Sequence, residues 1–182
     1  MRAFLGIEPD AKTKLAIDAW RNQALPELTE FVSPVNYHIT LAFLGQLDVR
    51  QQDTLLQLID EMPDSVQFNI TLNTVGYWPK PKALWLGCTS TAPNHTAIAK
   101  RLTAIANSAG IAMLKRDYQA HLTLVRKCQQ NPPAPILEPF FSWQAQDFHL
   151  YESLSTSQGV RYIIRKSWPL VPDINRQKSV SN

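Results

Sequence analysis

The sequence predicts an α+β protein with mainly antiparallel sheets, and three observations carry that expectation. Strand-like and helix-like segments alternate, yet most strand-like segments meet their neighbours through short turns, not helical crossovers. Six glycines among 182 residues form no nucleotide-binding fingerprint, which disfavours a doubly wound sheet and NAD- or ATP-dependent chemistry. One short strand pattern also occurs twice, as an internal duplication would leave it.

Taken in order, Arg2 to Ile7 reads as a short buried strand. Glu8-Pro9-Asp10 reads as a helix start, with Asp10 as cap. That helix runs to about Leu25, with Leu15, Ala16, Ala19 and Trp20 on one face, before Pro26. Tyr37 to Leu44 is the next strand, closed by Gly45. Asp48 caps a second helix to about Glu61, striped by Leu55, Leu56, Leu58, Ile59 and Met62 and stopped by Pro63.

Phe68 to Leu72 alternates apolar and polar residues, the pattern of a half-buried strand. A turn from Gly76 to Lys82 separates it from a strand at Ala83 to Cys88. A third helix over Pro93 to Ala109 carries Ile98, Leu102 and Ile105, and Gly110 stops it. Strands follow near Ala120 to Arg126, Trp143 to Leu154 and Arg161 to Leu170, with a proline-rich loop over Gln129 to Pro139. Residues 1–171 read as one domain and 172–182 as a mobile polar tail.

Hydrophobic residues make up 45% and charged residues 18%, a balance that excludes a disordered chain. The net charge of +3 is compatible with a nucleic-acid partner without demanding one. No run approaches the roughly 20 apolar residues of a membrane span. The short apolar start, Ala3 to Ile7, runs into Glu8-Pro9-Asp10 and does not resemble a secretory signal. Cys88 and Cys128 are too few for a disulfide scaffold or a structural zinc site, so the expectation is two reduced thiols in a cytoplasmic protein. Nothing in the sequence demands more than a monomer.

The duplicated pattern is Tyr37-His38-Ile39-Thr40-Leu41-Ala42 and Ala120-His121-Leu122-Thr123-Leu124-Val125. In a strand, residues two apart share a face. His38 and Thr40 therefore point one way while Ile39 and Leu41 anchor the other way, and His121 and Thr123 do the same over Leu122 and Leu124. Facing each other across a groove, the strands would gather two imidazoles and two hydroxyls around one small volume. Two histidines at neutral pH can supply one acid and one base for displacement at phosphorus, with threonine hydroxyls on the non-bridging oxygens. A single histidine in an apolar strand usually means packing, and His95, before a helix, and His149, in a strand without a threonine partner, are read as surface or packing residues. A metal site from His38, His121, Cys88 and Cys128 would leave both threonines unexplained, so neither metal nor cofactor is expected.

These strings resemble the 2H phosphoesterase superfamily. Asn36 through Gly45 and His121 through Arg126 are similar to its bacterial RNA 2′,3′-cyclic phosphodiesterase branch, also called 2′-5′ RNA ligase. Ala83 through Gly87 and the ending Arg161-Tyr162 through Trp168-Pro169-Leu170 extend the likeness. The resemblance implies a bilobal fold, with two mainly antiparallel sheets and flanking helices related by a pseudo-twofold and an active groove between the lobes. It also implies opening of an RNA terminal 2′,3′-cyclic phosphate to a 2′-phosphate, with His38 as general acid, His121 as general base, and Thr40 and Thr123 on the phosphate. The motifs themselves are symmetric, so that order comes from the resemblance alone. Reversible 2′-5′ ligation, 2′-5′ oligonucleotide cleavage and a non-catalytic RNA-end binder are the alternatives. The family often has proline before the second histidine, where this chain has Ala120.

The resemblance also implies that Arg126 contacts phosphate. Alternation argues against it, because five residues from His121 is an odd step, and a bulge or strand end must turn the side chain back. Trp78, Lys80 and Lys82, in the expected turn with Tyr77, suit base stacking and phosphate attraction, and Tyr118 could stack on a terminal base. Arg2, Lys115, Arg116, Arg161 and Arg165 are further candidates for lining the groove.

Overall fold

The computed structural model describes residues 1–26, 28, 30–114, 117–128, 132, 134–157 and 159–173. Strand β1 (Arg2–Ile7) is buried at every position after Arg2. Asp10 then caps helix α1 (Ala11–Ala24) by accepting the Thr13 amide at 2.7 Å. A single 3₁₀ turn (Pro34–Asn36) leads into β2 (Ile39–Gln46). Helix α2 (Val49–Asp60) starts in a reciprocal capping box: Gln51 donates its amide to the Asp48 carboxylate and accepts the Asp48 amide on its side chain. Strands β3 (Phe68–Leu72), β4 (Thr74–Trp78) and β5 (Ala83–Gly87) precede helix α3 (Pro93–Ser108). Beyond α3 the chain turns at Gly110, whose φ of +76° suits a residue without Cβ. Strands β6 (His121–Val125), β7 (Phe141–Ala145), β8 (Asp147–Thr156) and β9 (Gly159–Pro169) complete the order.

Seven strands form one antiparallel sheet in the order β4-β5-β6-β2-β1-β8-β9, and β3 pairs with β7 in a second, small sheet. Within the large sheet, β2 and β6 share one residue pair, Ile39 with Leu122. Two half-sheets thus meet at a narrow seam and part on either side of it. Antiparallel pairing there relates the two His-x-Thr segments by a local twofold. Behind the seam, Ile39, Leu41, Leu122 and Leu124 join Ile98, Leu102 and Ala106 of α3 in the buried core. That core fixes the opposite face of both strands as the functional one. Among the described residues no helix is long and apolar enough to cross a membrane.

Several expectations need correction. The turn expected from Gly76 to Lys82 begins only at Pro79, because Thr74–Trp78 form β4: Gly76 lies opposite Trp85, whose ring fills the place of the missing side chain. The expected strand from Trp143 to Leu154 is two strands in different sheets, interrupted at Gln146. Phe141, Trp143 and Ala145 alternate with exposed residues, whereas Phe148 to Tyr151 is a continuous buried run. Helix α1 buries Thr13, Ile17, Trp20 and Ala24, while Leu15, Ala16 and Ala19 face outward. Its inward stripe is therefore set by Ile17 and Trp20, the latter edge-on to Phe141 at 5.8 Å between ring centres. The end of the expected tail, residues 174–182, lies outside the described residues.

Candidate active site

The register at the seam determines which side chains meet. With Ile39 opposite Leu122, one antiparallel step in each direction sets His38 beside Thr123 and Thr40 beside His121. All four line one cavity of about 170 Å³ together with Phe43 and Arg126. Both imidazoles are held from behind in the same manner. His38 Nδ1 lies 2.7 Å from the Asn36 carbonyl oxygen, and His121 Nδ1 lies 2.9 Å from that of Gln119. A carbonyl only accepts, so each Nδ1 carries hydrogen and donates. In each neutral imidazole that leaves the Nε2 lone pair for chemistry.

Their surroundings differ. The His38 ring packs against Phe4 (4.6 Å between centres) and the edge of Tyr162 (4.9 Å). Burial pushes its pKa down to about 4, and the charges of Arg126 and His121 add to that, against the opposing Asn36 hydrogen bond. His38 is therefore uncharged at neutral pH before any anion binds. On the other side, Trp78 meets His121 nearly perpendicular at 4.5 Å, and Trp85 lies 6.3 Å away. The Trp85 ring lies over Gly76 and Gly87: a Cβ at either would come within 2.1 or 2.4 Å of it. Gly87 pairs directly with His121 across the strands.

Arg126 reaches the site by the route that alternation required. Leu84 pairs with Val125 but Trp85 pairs with Thr123, so Leu124 is an extra residue in β6 and the strand bulges. Leu124 and Val125 are both buried in consequence, and Arg126 turns back to the histidine face. Its guanidinium donates to the Tyr162 hydroxyl at 2.5 Å.

Two further cavities flank the histidines. One, of about 300 Å³, is lined by Trp78, Met113, Leu114, Asp117, Tyr118 and His121 among others. The second, of about 170 Å³, includes Arg2, Arg126, Ser153, Ser155 and Tyr162. Trp78 and Tyr118 thus line the first, and the Tyr118 hydroxyl is engaged with His95 Nε2 at 2.7 Å. His95 is itself buried, stacks on Phe68 and is pushed down to about 4 by burial; its role is packing. His149, bonded to Ser167, is also a packed residue.

Lys80 and Lys82 sit exposed on the β4–β5 turn and line none of these three cavities. Neither do Arg161 or Arg165, the latter paired with Glu152. Lys115 and Arg116 lie outside the described residues. Cys88 and Cys128 are not joined in a disulfide, and among the described residues no three His, Cys, Asp or Glu gather into a possible metal site. Sequence reasoning did not place Phe43 or Tyr162 in the site. Tyr162 arrives because the β8–β9 hairpin is carried to the site by the long-range pairing of β8 with β1, which nothing local to residues 159–169 reveals.

Known proteins resemble this chain in sequence and in fold. The family model described as the 2′-5′ RNA ligase superfamily matches residues 8–156. The RNA 2′,3′-cyclic phosphodiesterase of Escherichia coli (strain K12) is 29% identical over 172 residues, covering 93% of this chain and 96% of its own. That of Bacillus subtilis (strain 168) is 28% identical over 173 residues, covering 87% and 91%. Among solved structures, one described as a phosphoesterase superposes with a TM-score of 0.85 at 28% identity over 93% of this chain and 98% of its own. E. coli LigT complexed with 3′-AMP gives 0.83 at 28% identity over the same shares. With twin His-x-Thr strands at the seam and a family match across most of its length, the chain belongs to the 2′-5′ RNA ligase superfamily, the 2H phosphoesterases.

Proposed function

We propose that this protein is an RNA 2′,3′-cyclic phosphodiesterase that opens the terminal cyclic phosphate to a 2′-phosphate by paired imidazole catalysis, using no metal. One observation carries the reading: two imidazoles with the same fixed tautomer share a cavity with two threonines and an arginine. His121 Nε2 takes a proton from water as its oxygen attacks phosphorus. His38 Nε2 delivers a proton to the departing 3′ oxygen, so no unstabilised alkoxide is released. Thr40, Thr123 and Arg126 donate to the non-bridging oxygens, where negative charge grows. The acid and base roles follow the family resemblance. His38 must gain its proton in the complex, where phosphate offsets the Arg126 charge that otherwise disfavours imidazolium.

The larger flanking cavity, with Trp78 and Tyr118 on its wall, suits the terminal nucleoside. Lys80 and Lys82, on the turn leaving Trp78, would draw the RNA backbone. An RNA substrate and reduced thiols fit a cytoplasmic monomer.

The test is a short RNA ending in a 2′,3′-cyclic phosphate, incubated with the protein in EDTA, with the product terminus mapped. Wild type should leave a 2′-phosphate, and folded His38→Ala and His121→Ala should each leave the ring closed. Full turnover in either variant, or loss of wild-type activity on chelation, overturns the mechanism. Binding without product in wild type would point to an RNA-end binder instead.

A further inference from the structure

We infer that Asn36 is a positioning residue for His38, acting by clasping the outer edge of β9 with its side-chain amide. Asn36 Nδ2 donates to the Val160 carbonyl at 2.8 Å, and Asn36 Oδ1 accepts the Tyr162 amide at 3.2 Å. The two backbone groups flank Arg161, and in that pattern a residue of a parallel strand would donate to one and accept from the other. A side-chain amide here stands in for a peptide group on the outermost strand of the large sheet. The orientation of the amide is unambiguous, because a carbonyl must face its NH₂ and an N–H must face its oxygen.

The clasp matters because of what Asn36 does with its own backbone. Its carbonyl is the group that accepts from His38 Nδ1. One residue therefore fixes the imidazole through its main chain and is itself fixed through its side chain. The clasp also holds β9 at the point where Tyr162 meets the His38 ring and accepts from Arg126. Without it, the 3₁₀ turn carrying Asn36 and the edge of β9 are free to separate. The carbonyl then wanders, and with it the tautomer and aim of His38. His121 is unaffected, since its tautomer rests on Gln119 in the other half of the sheet.

The kinetic part of this inference rests on the acid–base reading of His38; the part concerning ring geometry does not. Asn36→Ala and Asn36→Asp separate the contributions. Alanine removes both bonds. An ionised aspartate keeps the bond from the Tyr162 amide but sets an oxygen against the Val160 carbonyl. Once protonated, it is a close copy of the amide, with an O–H for that carbonyl.

The experiment combines hydrolysis of the cyclic-phosphate RNA with nitrogen-15 NMR of the histidine side chains. In Asn36→Ala, kcat should fall on the order of 10- to 100-fold with KM within about threefold. His38 should change from one Nδ1–H tautomer to a mixture while His121 keeps its own. Measured against wild type, Asn36→Asp should recover as pH falls through titration of the new carboxyl, and Asn36→Ala should not. An unchanged His38 tautomer with kcat within twofold overturns the inference, as does equal disturbance of both histidines. Should Asn36→Ala fail to fold, the pH-dependent recovery of Asn36→Asp decides the matter. A wild type that hydrolyses no cyclic phosphate would sink the proposed function, and the tautomer measurement would still decide the role of Asn36.

Discussion

Gly87→Ala should cripple turnover while leaving the protein folded. A Cβ at position 87 would stand 2.4 Å from the Trp85 ring, where ordinary contact begins at 3.4 Å, so the ring must withdraw by about 1 Å. It cannot slide along the sheet, because the same ring also covers Gly76, where a Cβ would come within 2.1 Å. The remaining direction is off the sheet, towards Trp78, whose ring packs on both Trp85 (4.9 Å) and His121 (4.5 Å). A displacement of this size at a reacting group costs on the order of 100-fold in rate, and overpacking costs about 1–3 kcal/mol of stability. The assay is steady-state hydrolysis of a 2′,3′-cyclic phosphate, with thermal unfolding in parallel. Adding Trp85→Phe removes the colliding ring and should restore most of the lost rate, a coupling that a double-mutant cycle measures. Wild-type kcat in the single variant, or no recovery in the double, would refute the link between the Trp85 platform and His121.

Three other outcomes can be measured directly. The pH–rate profile should be bell-shaped, and the limb of kcat/KM belonging to His38 should lie near 4, moving upward in kcat because bound phosphate favours imidazolium; in Arg126→Gln that limb should rise in kcat/KM too, with KM increased roughly 10-fold if the arginine's charged hydrogen bonds to phosphate are worth about 1.4 kcal/mol. His95 is buried neutral, so stability is fully present above its unfolded pKa of 6.5 and is lost as pH falls towards about 4, by about 3 kcal/mol over that window; denaturant titrations of His95→Gln should show a shallower acid loss, and an identical slope would contradict this assignment.

How far the sequence could be read depended on the range of the interactions. Strand Arg2–Ile7, strand Phe68–Leu72 and the Asp10 and Asp48 caps match expectation because alternation and capping are local. Strand β4 escaped because Gly76 has no side chain to alternate and its partner ring belongs to Trp85. The break at Gln146 escaped because apolar residues lie on both sides of it, and only pairing with β3 or β1 tells the two strands apart. In the site, His-x-Thr spacing predicted which side chains share a face, and alternation required a bulge or a strand end to turn Arg126 towards them. It could not predict that Leu124 supplies the bulge, since that shows only in the register against β5. Asn36 and Tyr162 lie more than 120 residues apart and meet by tertiary contact alone.

The pairing of Ile39 with Leu122 gives both imidazoles the same backbone frame. A symmetric frame cannot decide which way protons flow through it. On the proposed mechanism that decision would fall to the unlike linings: Phe4, Tyr162 and Arg126 on one side, Trp78 and Trp85 on the other. The direction of catalysis would then be a property of a handful of side chains laid over a neutral scaffold. Exchanging those linings between the halves should trade the jobs of the two histidines without redrawing a single strand.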